Sequence, residues 1–136
     1  MLQKLNTKRG GFTLVEIMIV VAIIALLAAI AVPNFLRSRK RAQATQVLQD
    51  LRMIDAAVDQ YAIEFNQRGG TTLTWTNLSL YLKAGSRLQA SSATGADVLG
   101  NAFGNYTVDS VPKVPLTTFN ALSDVAPAGF WSPFNQ

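Results

Sequence analysis

Lys8-Arg9-Gly10-Gly11-Phe12-Thr13-Leu14-Val15-Glu16 runs without a pause into Ile17–Val32, sixteen apolar residues in a row. The apolar stretch as a whole extends from Phe12 to Leu36, interrupted only by Thr13, Glu16, Asn34 and the ring of Pro33. As a helix at ~1.5 Å per residue it reaches ~30 Å, enough to cross the hydrocarbon core of a bilayer. An ordinary secretory signal places its small-residue cleavage site after the apolar run. Here Gly10-Gly11 comes before it. Cleavage at that point would leave the hydrophobic segment on the mature protein.

Downstream of the span, Arg37, Arg39, Lys40 and Arg41 form a basic clump, and the pattern then changes. From Ala42 to Asn66, the residues Ala44, Val47, Leu48, Leu51, Ile54, Val58, Tyr61, Ala62 and Phe65 recur at steps of three and four. Such spacing predicts one apolar helix face. Gln46, Gln49, Asp50, Asp59, Gln60 and Glu64 are assigned to the polar side. Glu64 and Arg68 stand i,i+4 in the favourable order. Gly69-Gly70 supplies the expected stop, because glycine accepts the left-handed conformation that ends helices. The spacing predicts one helix of roughly 55 residues, ~80 Å long. Pro33 is the one strong breaker inside it. Half of such a helix must find its partner outside so small a domain.

The remainder, Gln67 to Gln136, is made of other material, with seven of the nine glycines and four of the five prolines. Thr76-Asn77 is expected to cap a brief helix through Lys83, although Leu78, Leu80 and Leu82 alternate as in a strand. Gln89–Ala96 reads as loop, and Gly100-Asn101 and Gly104-Asn105 as turns. The second turn leads into a strand at Tyr106–Val108. Pro112 and Pro115 confine the next segment to an edge strand or loop. Phe119–Ser123 is read as a helical turn and Gly129–Phe134 as a last strand. The fold class is α+β: a long N-terminal helix packed against a small C-terminal head with a few antiparallel strands. The expected organisation is residues 1–11, 12–36, 37–66 and 67–136, in turn a short basic segment, apolar helix, amphipathic continuation and head.

Composition excludes several chemistries. The chain is 49% hydrophobic and 15% charged, well under the quarter charged that soluble domains carry. It has no His and no Cys, which removes Ser-His-Asp and Cys-His catalysis, thiolate and imidazole metal sites, and disulfides. The +4 net charge is concentrated at Lys4, Lys8, Arg9 and the clump. Beyond Arg41, five basic residues face seven acidic ones, so no basic platform for nucleic acid is expected.

The stretch Lys8–Glu16, with Ile17–Val32, Pro33 and Phe35 behind it, resembles the processing motif of type IV prepilins and of type II secretion major pseudopilins. The resemblance implies that a prepilin peptidase cuts after Gly11, on the cytoplasmic side. It implies that Phe12 becomes an N-methylated N-terminus. Glu16 corresponds to the family's acidic assembly residue and Pro33 to its helix-bending proline. The protein is then the substrate of an enzyme and not an enzyme itself, with no catalytic residue, cofactor or metal. Its partners would be the peptidase, further copies in a helical filament, and an inner-membrane assembly platform. It would sit in the inner membrane with its N-terminus in the cytoplasm, and after assembly in a periplasmic or surface filament.

Blander readings stand beside these. Gly10-Gly11 also fits a plain junction before a signal anchor, but that leaves Glu16 unexplained, since a carboxylate within the span costs roughly 2.5–3.5 kcal/mol. Glu16 near the interface could instead snorkel, and Pro33 could mark only the membrane exit. The clump suits headgroup contact or subunit pairing better than nucleic acid. Trp75, Phe119, Phe130, Trp131 and Phe134 are expected mostly in the core, with Phe130–Phe134 as an alternative docking segment. Asp97-Val98-Leu99-Gly100-Asn101-Ala102-Phe103 is similar to a turn of the major pseudopilins but lacks its prolines and Trp. Those proteins also bind calcium near the C-terminus; Asp124 here lacks an acidic neighbour, which leaves calcium in the head as the weaker alternative to no cofactor. A filament subunit of pilus type is the first reading and a secretion pseudopilin the alternative. A signal-anchored periplasmic enzyme using Asp97, Asp109, Asp124, Lys83 or Lys113 is the remote rival. A DNA-binding minor pilin is another, though Arg68, Lys83, Arg87 and Lys113 are scattered.

Overall fold

The structure, a computed structural model, describes residues 10–91, 94–104 and 106–136. The leader residues through Lys8 and Arg9 lie outside the described residues, as do Ser92 and Ala93 of the expected loop and Asn105 of the second turn. The elements run α1 (Leu14–Glu64), β1 (Thr72–Leu73), α2 (Trp75–Ser79), α3 (Arg87–Ala90), β2 (Tyr106–Thr107), α4 (Leu116–Ala121) and a closing 3-10 turn (Ala128–Trp131). The chain divides into two compact units, parted between Leu36 and Arg37.

In the first unit every described residue is exposed. Its apolar side chains, from Leu14 to Leu36, find no partner within that unit, although the helix is long and apolar enough to cross a membrane. Pro33 lies inside α1 and does not end it.

The second unit holds the core. Ala44, Val47, Leu51, Ile54 and Val58 of the expected face are all buried, and Leu48, Tyr61 and Ala62 pack partly against them. Phe65 departs from the expectation at 53% exposed, because α1 has already ended. The stop is Asn66, not Gly69-Gly70. Asn66 takes φ 47°, its N–H donates to the Ile63 carbonyl at 3.4 Å, and Gln67 N–H donates to the Ala62 carbonyl at 2.9 Å. That pair of bonds is a Schellman cap with asparagine in the left-handed position. Glu64 accepts the Tyr81 hydroxyl, which pushes the Tyr81 pKa up to about 12.

β1 and β2 pair antiparallel, Thr72 with Thr107 and Leu73 with Tyr106. Val108 continues the ribbon, its N–H donating to the Thr71 carbonyl and its carbonyl accepting from Gly70, both at 2.9 Å. α2 starts earlier than expected. Thr74 is its N-cap, and Asn77, from inside the helix, accepts the Thr74 N–H at 3.1 Å. The expected loop at Gln89 begins as a helical turn, because the Ser86 hydroxyl caps Arg87–Ala90 through Gln89 N–H. The segment at Pro112 and Pro115 is loop. The expected last strand is instead the 3-10 turn, whose Phe130 N–H bonds the Pro127 carbonyl at 2.8 Å. Trp131 is fully buried there and donates its indole N–H to the Ala126 carbonyl at 3.1 Å. Trp75 and Phe134 are also buried, so these rings belong to the core and not to a docking surface.

Candidate functional site

Gly10 and Gly11 are exposed, and a Cβ added to either meets nothing within 4 Å. An accessible, slender backbone is what a peptidase cleft requires. Phe12 follows at 84% exposed. α1 then starts through three reciprocal hydrogen bonds that the sequence reading missed. Thr13 N–H and Oγ1 donate to Glu16 Oε2 at 2.7 and 2.9 Å, and Glu16 N–H donates to Thr13 Oγ1 at 3.2 Å. The pattern Thr-x-x-Glu at a helix start is the capping box, legible from the spacing alone. It satisfies donors that the first turn leaves without intrahelical partners. Phe12, Glu16, Ile17, Ile19 and Val20 border an open apolar hollow of ≈ 320 Å³. The Phe12 ring and the Glu16 carboxylate therefore share one side of the helix start.

Of the candidate groups in the head, Asp97, Asp124 and Arg87 are engaged in structure, whereas Lys83, Asp109 and Lys113 are exposed. Asp97 is buried, accepts Leu99 and Asn101 N–H groups at 2.8 and 2.9 Å, and takes the Thr118 hydroxyl. Thr118 in turn accepts Asn101 Nδ2 at 2.9 Å. The Asp97–Phe103 turn is thereby fastened to α4. Asp124 is paired with Lys40 Nζ at 2.9 Å, and that hydrogen bond holds its carboxyl below the usual range. Arg87 reaches Asp50, a residue the periodicity had placed on the polar side but which is 1% exposed. Among the described residues no group of three or more acidic side chains is placed to hold a metal ion. Of the clump, Lys40 turns to Asp124 while Arg37, Arg39 and Arg41 stay exposed.

The N-terminal segment matches the family described as "Prokaryotic N-terminal methylation motif" over residues 6–32. The chain is 36% identical over 93 residues to the type IV major fimbrial protein FimA of Dichelobacter nodosus, covering 68% of this chain and 59% of that one. It is 38% identical over 65 residues to the type II secretion system core protein G of Klebsiella pneumoniae, 48% of this chain and 46% of that one. With the type IV major pilin protein PilA of Myxococcus xanthus it shares 41% identity over 61 residues, 45% of this chain and 28% of that one. The chain thus spans about half the length of the curated relatives it matches, and no solved structure matches it. The motif and these relatives together support the type IV prepilin and pseudopilin family.

Proposed function

We propose that this chain is a structural subunit of a type IV pilus-like filament, processed by a prepilin peptidase and assembled through its N-terminal helix. The observation that carries the reading is an exposed Gly11-Phe12 junction directly ahead of a helix whose apolar half buries none of its surface. Before processing that half is a membrane span; after assembly, other copies of it supply the missing partner. Residues 1–11 are the leader, 12–36 the span and polymerisation helix, 37–66 its amphipathic continuation and 67–136 the head. Cleavage follows Gly11, Phe12 is N-methylated, Glu16 guides assembly and Pro33 sets the bend. The subunit waits in the inner membrane with its N-terminus in the cytoplasm, where an assembly platform takes it up.

A major pseudopilin of a type II secretion system is the second reading. The match to core protein G and the cysteine-free sequence favour it.

Gly11→Val tests the processing step, because a branched side chain at the cut crowds the peptidase cleft. Mass spectrometry should find only the uncleaved, membrane-held form. A mature chain beginning at Phe12 in that variant would overturn the assignment. Deleting the gene then separates the two readings: loss of sheared surface filaments marks a pilus, and loss of exported protein marks a pseudopilus.

A further inference from the structure

Arg37, Arg39 and Arg41 are exposed, and none forms an ion pair among the described residues. Lys40, between them, is half-buried and paired with Asp124 of the head at 2.9 Å. Asp124 is held below the ordinary Asp range by that hydrogen bond first, and more weakly by the charges of Lys40 and Arg37. It is the one acid between Ser110 and Gln136, and no acid stands between Glu16 and Asp50. Asp50 lies nine residues beyond Arg41, ~14 Å along the helix. That exceeds the ~8 Å Debye length of physiological salt. One paired acid thus faces four bases, and a net positive belt remains.

The arginines do not share a face. At ~100° per residue, Arg37 and Arg41 lie ~40° apart and Arg39 about half a turn away, so the charge forms a collar round α1. Its level is set by the chain before it. Ile17–Leu36 is twenty residues, ~30 Å of helix, the thickness of a hydrocarbon core. The four steps from Arg37 to Arg41 add ~6 Å, about the depth of the headgroup layer outside that core.

We infer that the collar of Arg37, Arg39 and Arg41 docks the phosphates of anionic phospholipids in the leaflet that the span reaches last. The inference rests on the membrane-span half of the proposed function. A guanidinium is a planar, weakly hydrated fork that meets phosphate oxygens two at a time and keeps its charge in the interface. Headgroups surround a spanning helix, so they can occupy a collar from every side; a nucleic acid or a protein partner approaches from one. The Lys40–Asp124 pair keeps the single acid of that part of the head from repelling them. Attraction to an anionic surface fades within a Debye length. The collar therefore holds the waiting subunit at one depth, with Leu36 in hydrocarbon and Arg41 in the headgroups.

The test is native mass spectrometry of the whole chain, released from neutral detergent that carries equimolar phosphatidylglycerol and phosphatidylcholine. The chain should retain phosphatidylglycerol about fivefold over phosphatidylcholine, and Arg37→Gln with Arg39→Gln and Arg41→Gln should bring the ratio to about one. Arg52→Gln removes an exposed arginine of α1 beyond the collar and should leave the ratio unchanged. If the triple change lowers the melting temperature, Arg39→Gln, which has no part in the Asp124 contact, should still about halve the ratio. An unaltered ratio in the triple variant, or an equal fall in Arg52→Gln, would overturn the inference. So would displacement of the lipid by inorganic phosphate, which marks a site for free anions. Loss of dimers in place of lipid in the triple variant would likewise overturn it and mark a contact between copies. Carbonate extraction of native membranes keeps the two readings apart. A chain that washes off is no span, and both fail; a chain that stays embedded without a lipid preference removes the collar alone.

Discussion

The guanidinium of Arg87, in α3, donates to the carboxylate of Asp50, on the buried side of α1. Gln46 Nε2 adds a hydrogen bond to the same carboxylate at 3.1 Å, and Arg87 Nη1 also reaches the Ala96 carbonyl at 3.4 Å. One arginine therefore ties the helix, α3 and the approach to the Asp97 turn together. A buried charge is tolerated only where such partners replace water. The pair acts less as a source of net stability than as a constraint on where α3 can dock.

Arg87→Met leaves Asp50 with Gln46 alone and should destabilise the fold by about 1–3 kcal/mol near neutral pH, the cost of a buried group losing its partner. The sign with pH follows from burial, which is the largest influence on Asp50 and holds its carboxyl above the ordinary Asp value of 3.8. The folded chain then binds this proton more tightly than the unfolded one. Stability from the group is complete below the unfolded pKa and is lost as pH rises through the raised folded value. In Arg87→Met that loss should grow larger and extend to higher pH, and in Asp50→Asn it should vanish. Thermal unfolding in detergent at stepped pH reads both. An Arg87→Met deficit that is constant from acid to neutral pH would count against the pairing.

Gly95 is irreplaceable for two reasons at once. Its φ is +65°, and a Cβ there would stand 2.6 Å from the Trp75 ring, a rigid neighbour that cannot swing aside. Gly95→Ala should cost about 2–4 kcal/mol from backbone strain plus overpacking. Gly129→Ala, with open space around it, should stay within about 0.5 kcal/mol. Equal melting temperatures for the two variants would contradict the placement of Trp75 against this turn.

Asn66 ends α1 in a conformation that glycine adopts freely and β-branched residues resist. Asn66→Gly should match or slightly exceed the wild-type stability, and Asn66→Val should lose about 1–2 kcal/mol. Comparing their melting temperatures checks the cap. If Gly69-Gly70 were the true stop, both variants would behave alike.

The helix was legible in the sequence because its signal repeats: Ala44, Val47, Leu51, Ile54 and Val58 recur over four turns, and all are buried. Asp50 was misplaced for a physical reason. Its burial depends on Arg87, 37 residues further on, and no local periodicity records a distant partner. β1 has two residues, too few for alternation to show. Gly129–Phe134 looked like a strand from its aromatics, but Pro133 withholds a backbone donor, and Trp131 finds burial through a single tight turn. At the N-terminus the order of Gly10-Gly11 and the apolar run was plain, whereas the capping role of Glu16 was overlooked although Thr13-x-x-Glu16 displays it.

Because of that second role, Glu16→Val removes two things at once, a negative charge and a helix cap. Glu16→Gln separates them. A glutamine carboxamide oxygen can still accept from Thr13, as capping boxes with Gln do, so the first turn of α1 should survive. What it lacks is the charge that would meet the Phe12 amine of an incoming subunit, where hydrocarbon screens Coulomb attraction weakly. Apolar neighbours such as Ile23, Leu26 and Leu27 pack acceptably at several offsets, whereas an ion pair in lipid permits few. Glu16→Gln and Glu16→Val should therefore both insert and be cleaved after Gly11, and both should lose at least tenfold in filament yield. Mass spectrometry of the membrane fraction and immunoblotting of sheared filaments, in cells lacking the wild-type chain, measure the two steps. Full assembly by Glu16→Gln, with failure of Glu16→Val, would assign Glu16 to the cap and remove it from subunit registration.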